Sequence, residues 1–336
     1  MAKRNILLSS LGLSPAVVTE TIDALQNTGL QINTVVLLST SNERIIDTYV
    51  PLLHEDFMET YQGKVELIPA PIASDDIWTA QDNLDFIKLA TTFLNTYRKR
   101  GDNVYVSIAG GRKTMSAAMA IVAQLFGAKG LYHVLVPEEI ERKRLDYEEL
   151  KKSPKARREA FHPDVLCMEL VSIPVVGLFP YMSQITSVLQ GESAKDRADV
   201  TDLLRENELI DEEGKPTQTG RDLLAILSDV ETAPEASTTP PSKKEIRISE
   251  HNIRKVDRKK MQTVAERMCY SPFVNRIATT DWNSQTNQQY RVNEDRSITF
   301  FIRKTKKGST LKVFTTATTR AQAEYVATSL LPCVNQ

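Results

Sequence analysis

Residues 104–128 read VYVSIAGGRKTMSAAMAIVAQLFGA, and three features follow one another in them. Val104, Tyr105, Val106, Ser107 and Ile108 form a short apolar run of the kind a buried parallel strand needs. The run stops at Ala109-Gly110-Gly111. Arg112-Lys113-Thr114 then lead into Met115, Met119, Ile121, Val122 and Leu125 at helical spacing. Strand, glycine turn, basic residues and helix start together make an anion site. Glycine lets a phosphate approach the backbone, where free N–H groups and the positive end of the helix dipole converge. The pattern GxxxxGK[ST] is absent, so this is not a Walker loop.

Residues 5–26, NILLSSLGLSPAVVTETIDALQ, repeat the layout. A strand ends in Ser10-Leu11-Gly12-Leu13-Ser14-Pro15. A helix is expected to follow, with Ser14 as its N-cap and Pro15 at its first position. Two such turns on the carboxyl edge of one sheet are where open α/β sheets bind ligands. Outward from them, residues 1–140 alternate strands (34–39, 65–69, 130–136) with helices, a long one spanning 78–100, which predicts a doubly wound parallel sheet. The loop 39–44 would lie on the same edge, where Arg44 either reaches a phosphate or is a solvated helix-start residue.

The charged segment 141–165 reads as a solvated helix broken at Pro154, and 165–174 as one more strand. Residues 191–230 pattern as two amphipathic helices flanking a polar wing, ending in Thr219-Gly220-Arg221, which resembles a winged helix-turn-helix. The segment is acidic, so a dimerisation or spacer role is expected in place of a grip on DNA phosphates. Residues 231–242, ETAPEASTTPPS, read as a linker. Beyond it the pattern gives a strand at 245–249, a basic helix at 253–268, a second short helix at 271–277, strands at 289–292, 298–304 and 311–316, and a last helix at 319–331. The expected domains are therefore 1–180, 181–232, a linker 233–243, and 244–336.

Net charge is −1, yet residues 243–336 hold 18 Lys and Arg against 8 Asp and Glu. The remainder is acidic in compensation, and such asymmetry points the C-terminal part at a polyanion. Three dispersed cysteines and four histidines lack metal-ligand spacing, so no metal is expected. Met-Ala-Lys-Arg runs straight into a strand and no apolar run approaches a membrane span, so the reading is a cytoplasmic chain with no membrane partner.

SSLGLSPAVVTE at 9–20 and SIAGGRKTM at 107–115 resemble CARF domains, the CRISPR-associated Rossmann folds that bind cyclic oligoadenylate. That resemblance implies a homodimer with the ring in the groove between subunits. It places Ser10, Leu11, Gly12 and Ser14 on one wall, and Gly110, Gly111, Arg112, Lys113 and Thr114 on the other. The C-terminal pattern, with VFTTATTRAQAEY at 313–325, resembles RelE-type toxins, which are ribosome-dependent mRNA interferases with a small α+β fold. One expected arginine position holds Thr319, with Arg320 beside it. The whole chain thus resembles the CARF–RelE fusion ribonucleases of type III CRISPR systems. These imply cyclic tetra-adenylate as allosteric activator, no required cofactor, and mRNA and the ribosome, met through its stalk protein, as partners.

Metal-free RNA cleavage needs help to deprotonate a 2′-OH, neutralise the crowded phosphorane and protonate the leaving 5′-oxygen. The candidates are Arg291, Arg303, Lys304, Lys312, Arg320 and Tyr325. Arg291, Arg303 and Lys312 fall on three consecutive strands and can share one face. Arg303 and Arg320 suit transition-state charge, Lys304 or Lys312 the 2′-OH, and Tyr325 stacking or proton transfer, unless it is a core tyrosine. Neighbours in a strand face opposite ways, so Arg303 and Lys304 enter one site only across a bulge. His251 reads as a surface residue, while Trp282 and Tyr290 either stack on RNA or serve ordinary packing. The rival readings are a ligand-responsive transcription regulator and an added ring-nuclease activity of the N-terminal domain.

Overall fold

The computed structural model describes residues 3–142, 147–192, 198–249, 255–280, 288–303 and 308–335. The chain divides into two compact units, residues 1–66 with 74–231 and residues 67–73 with 232–336. In chain order the elements up to residue 232 are β1 (Asn5–Ser10), α1 (Ala16–Asn27), β2 (Thr34–Ser39), α2 (Val50–Thr60), β3 (Glu66–Pro71), α3 (Ala80–Lys99), β4 (Asn103–Ser107), α4 (Lys113–Phe126) and β5 (Gly130–Leu135). Then come α5 (Glu138–Arg142), α6 (Tyr147–Lys152), α7 (Pro154–Phe161), β6 (Glu169–Ile173), α8 (Met182–Leu189), α9 (Ala198–Glu206) and α10 (Gln218–Thr232).

The sheet order is β3-β2-β1-β4-β5-β6, with β1 paired parallel to both β2 and β4 and β6 antiparallel to β5. Ile6, Leu7 and Leu8 are each completely buried, because helices cover both faces of the sheet. Helix α4 shows the packing rule plainly. Met115, Ala118, Met119, Val122, Ala123 and Phe126 are buried at helical spacing, and Gly127 ends the helix in the left-handed region at φ 79°. Ile121, expected on that face, is instead exposed.

Two expectations change, and the start of one helix is refined. Helix α1 begins at Ala16, with Pro15 at the cap position and no side-chain cap bond, so the Ser14 cap does not form. Helix α3 begins two residues after Trp78, at a Thr79–Asp82 capping box. The segment after residue 141 is not simply solvated. Pro154 starts a new helix capped by Ser153, and Arg157 is buried beneath Glu55 and Glu59 at 2.9 and 3.1 Å. Helices α9 and α10 flank an isolated bridge between Ile210 and Pro216.

The smaller unit holds β7 (Glu245–Arg247), α11 (Lys255–Cys269), β8 (Val274–Thr280), β9 (Tyr290–Val292), β10 (Ile298–Arg303), β11 (Gly308–Thr315) and α12 (Arg320–Asn335), with sheet order β7-β8-β11-β10-β9. The predicted helix 271–277 is therefore strand β8. Val274 and Ile277 are both buried three residues apart, which looks helical in sequence. In the sheet Arg276 pairs with Phe314 and Val274 with Thr315, so one extra residue bulges at Asn275 and turns both apolar side chains inward. The core joins Ile277, Ile298, Phe300 and Val313 of the sheet to Met261, Met268, Val326 and Leu330 of α11 and α12.

Candidate functional site

The turns after β1 and β4 meet where strand order reverses, the usual ligand position of such sheets. Ser10 Oγ donates to the Gly110 carbonyl at 2.6 Å. A Cβ on Gly110 would lie 2.1 Å from the Ser10 carbonyl oxygen, and one on Gly12 would lie 2.8 Å from Gly111 Cα. Only glycines allow this approach, and Gly111 further requires φ 83°. Ser10, Leu11 and Gly110 are buried. The Leu11 N–H donates to the Leu38 carbonyl at 2.8 Å. These three thus bind the turns to each other and to the sheet. Gly12 and Ser14 are partly open, and Gly111, Arg112, Lys113 and Thr114 are exposed at the start of α4. That exposed set is the part of the two turns open to solvent.

A neighbour that sequence reasoning missed joins this edge. The Ser41 N–H donates to the Ser74 carbonyl at 2.9 Å, linking the loops after β2 and β3. Arg112 donates from Nε and Nη2 to both oxygens of Asp76, and its guanidinium carbon lies 5.0 Å from the centre of the Trp78 ring. The hydrogen bond from Arg112 holds the Asp76 carboxyl below its ordinary range. Asp82 accepts from Ser74 and Thr79, which pushes it down to about 2. Arg44 is exposed, and its backbone N–H donates to Asn42 Oδ1 at 3.1 Å.

The second site lies on the sheet face opposite α11 and α12. Thr299 pairs with Arg291 on one side and Lys312 on the other, so the two cations stand in one row across three strands. They line a cavity of about 530 Å³ with Val292, Asn293, Glu294 and Asp295. Lys312 Nζ lies 2.9 Å from Asp295 Oδ2. Hydrogen bonds from Ser297 and then Lys312 push Asp295 down to about 2. Arg276 and Lys312 stand over the Phe314 ring at 3.9 and 5.1 Å. Arg296 Nη1 donates to the Thr318 carbonyl at 2.8 Å, tying the β9–β10 turn to the loop that leads into Arg320. Arg320 is exposed and 3.8 Å from Glu324.

Tyr325 is placed elsewhere. It packs edge-on to Phe273 at 5.8 Å, against the core. Tyr290 likewise packs on Phe300. Arg303 ends β10 with its backbone paired to Gly308. Lys304, His251 and Trp282 lie outside the described residues. Among the described residues no three His, Cys, Asp or Glu side chains group as metal ligands, and no helix is long and apolar enough to cross a membrane.

A doubly wound sheet with two touching glycine turns at its switch point is an α/β domain of the ligand-binding kind. The chain belongs to the family described as CRISPR-associated protein NE0113 (Cas_NE0113), which matches residues 14–209. It is 28% identical over 153 residues to the CRISPR system ring nuclease SSO2081 of Saccharolobus solfataricus, covering 45% of this chain and 83% of the relative. Among solved structures it is similar to Enterococcus italicus Csm6 bound to cyclic hexa-2′-fluoro-hexa-dAMP, with TM-score 0.38 and 11% identity over 80% of this chain. It spans 62% of that protein's length. It is also similar to VC1899 of Vibrio cholerae, with TM-score 0.28 and 7% identity, covering 93% of this chain and 77% of that one. These two likenesses are too distant to carry an argument about fold.

Proposed function

We propose that this chain is a type III CRISPR effector in which a CARF domain binds cyclic oligoadenylate and a RelE-like domain cuts mRNA on the ribosome. One observation carries the ligand half. Two glycine turns touch at the switch point and present Gly111, Arg112, Lys113 and Thr114 to solvent. A ring of phosphodiesters suits backbone N–H groups backed by one Arg and one Lys, and a homodimer would double that set around the ring. The family match, and the ring-nuclease relative, support the same reading.

In the nuclease half, Arg291 and Lys312 would flank the scissile phosphate and oppose the charge of the phosphorane as the 2′-oxygen attacks. Asp295 fixes the Lys312 ammonium. A cationic strand face with weak bases is a poor catalyst alone, so the ribosome would supply alignment of the mRNA. Tyr325, packed against the core, would serve as support for the site.

Toeprinting of a translating mRNA tests both halves. Cuts at the ribosomal A site that require cyclic tetra-adenylate, and vanish in the Arg291→Ala, Lys312→Ala double variant, are the expected result. Absence of cuts under every ring size would overturn the nuclease half. A second reading, that the same turns also cleave their ligand, is favoured by the ring-nuclease relative. Linear products from the ring incubated with protein alone would establish it, and a ring recovered intact would overturn it.

A further inference from the structure

The anion site has a large aromatic side chain at its rim that binding of phosphate alone does not use. Trp78 is 73% exposed. An indole is mostly buried in folded proteins, and one left in water beside a cation marks a contact surface. Its backbone is not loose. The N–H groups of Trp78 and Thr79 donate to Asp82 Oδ2 at 3.1 and 2.8 Å, and the Asp82 N–H donates back to Thr79 Oγ1 at 3.1 Å. Ser74 holds the other Asp82 oxygen. The loop is therefore fixed at both ends of a short span, with Asp76 and Trp78 projecting from it.

Arg112 connects this loop to the glycine turns. It spends Nε and Nη2 on Asp76, which orients the guanidinium and leaves the Nη1 edge for a second anion. Lys113 is exposed next to it. A cation that grips phosphate, with an aromatic face about one ring away, is the pairing that single-stranded nucleotide sites use: charge holds the backbone and the ring stacks the base.

We propose that Trp78 is a base-stacking residue of this site, on which a purine of the ligand lies while Arg112, oriented by Asp76, takes the adjoining phosphate. This rests on the reading that the two turns bind a cyclic oligoadenylate. It adds a base-recognising wall contributed by the loop before α3, outside both glycine turns.

Trp282 is the chain's only other tryptophan. In a full-length Trp282→Phe protein, titration with cyclic tetra-adenylate and, separately, cyclic hexa-adenylate should quench Trp78 fluorescence as the ring binds. Calorimetry should show affinity for the bound ring falling about tenfold in Trp78→Ala and staying within about threefold in Trp78→Phe. Lys113→Ala, which changes a phosphate-binding residue, serves as reference. If Lys113→Ala no longer binds the ring while Trp78→Ala binds like the unaltered protein, the ring site stands and the stacking role is overturned. If neither ring binds the unaltered protein, the reading and this proposal fall together. If Trp78→Ala alters only the oligomeric state in sedimentation, leaving affinity intact, Trp78 meets a second copy of the chain and the stacking role is again overturned.

Discussion

His162 stands between two carboxylates, with Nδ1 2.6 Å from Asp23 Oδ2 and Nε2 2.9 Å from Asp56 Oδ2. Tyr61 donates its hydroxyl to the other Asp23 oxygen at 2.9 Å. Burial opposes the imidazolium, but hydrogen bonds and charge from both carboxylates win and raise it to about 9. Because the folded value lies above the unfolded one, the clamp's stabilisation is complete below about pH 6.5 and is lost as pH rises through 9. The shift corresponds to something on the order of 3 kcal/mol. Denaturant unfolding from pH 6 to 9.5 should show the unaltered protein's advantage over His162→Gln shrinking across that window. A constant difference would mean the histidine is not charged in the fold.

At the scale of elements, the two turns behave as one part because their backbones touch. Gly110→Ala places a methyl against the Ser10 carbonyl, closer than any atom pair tolerates. It should cost about 2–3 kcal/mol in unfolding free energy, as overpacking against rigid backbone does, and should abolish ring binding by parting the turns. Binding at the unaltered affinity would show that the turns act independently. Much of this arrangement is legible in the sequence. Apolar runs that end at glycine mark β1, β4 and both turns, with Arg112 and Lys113 following the second, since parallel strands and glycine turns leave local patterns. Features without a local pattern stay hidden. Asn275 bulges only because β11 lies beside it, so β8 reads as a helix. Asp76 reaches Arg112 across 36 positions of sequence, and the His162 clamp draws its groups from α1, α2 and the end of α7. Each depends on tertiary neighbours that no periodicity announces.

For the whole molecule the decisive quantity is how charge is distributed. The last 94 residues are strongly basic and the rest acidic, so on the proposed function a long polyanion would be drawn to one half, while a small ring of phosphates would find its few cations at the turns. The two affinities should therefore separate by mutation. Removing one cation that neutralises a phosphate of single-stranded RNA lowers the slope of log affinity against log salt by about 0.7. Arg291→Ala should produce that decrease, since Arg291 is exposed and has no carboxylate partner among the described residues. Lys312→Ala should lower the slope less, because Asp295 already neutralises part of its charge. Neither should change ring affinity, and Lys113→Ala should do the reverse, weakening the ring while leaving the RNA slope intact. Filter binding of a poly-A strand from about 50 to 300 mM salt, beside calorimetry with the ring, measures both. An Arg291→Ala slope equal to that of the unaltered protein would remove the strand face from the RNA path and move the search to the basic helix α11.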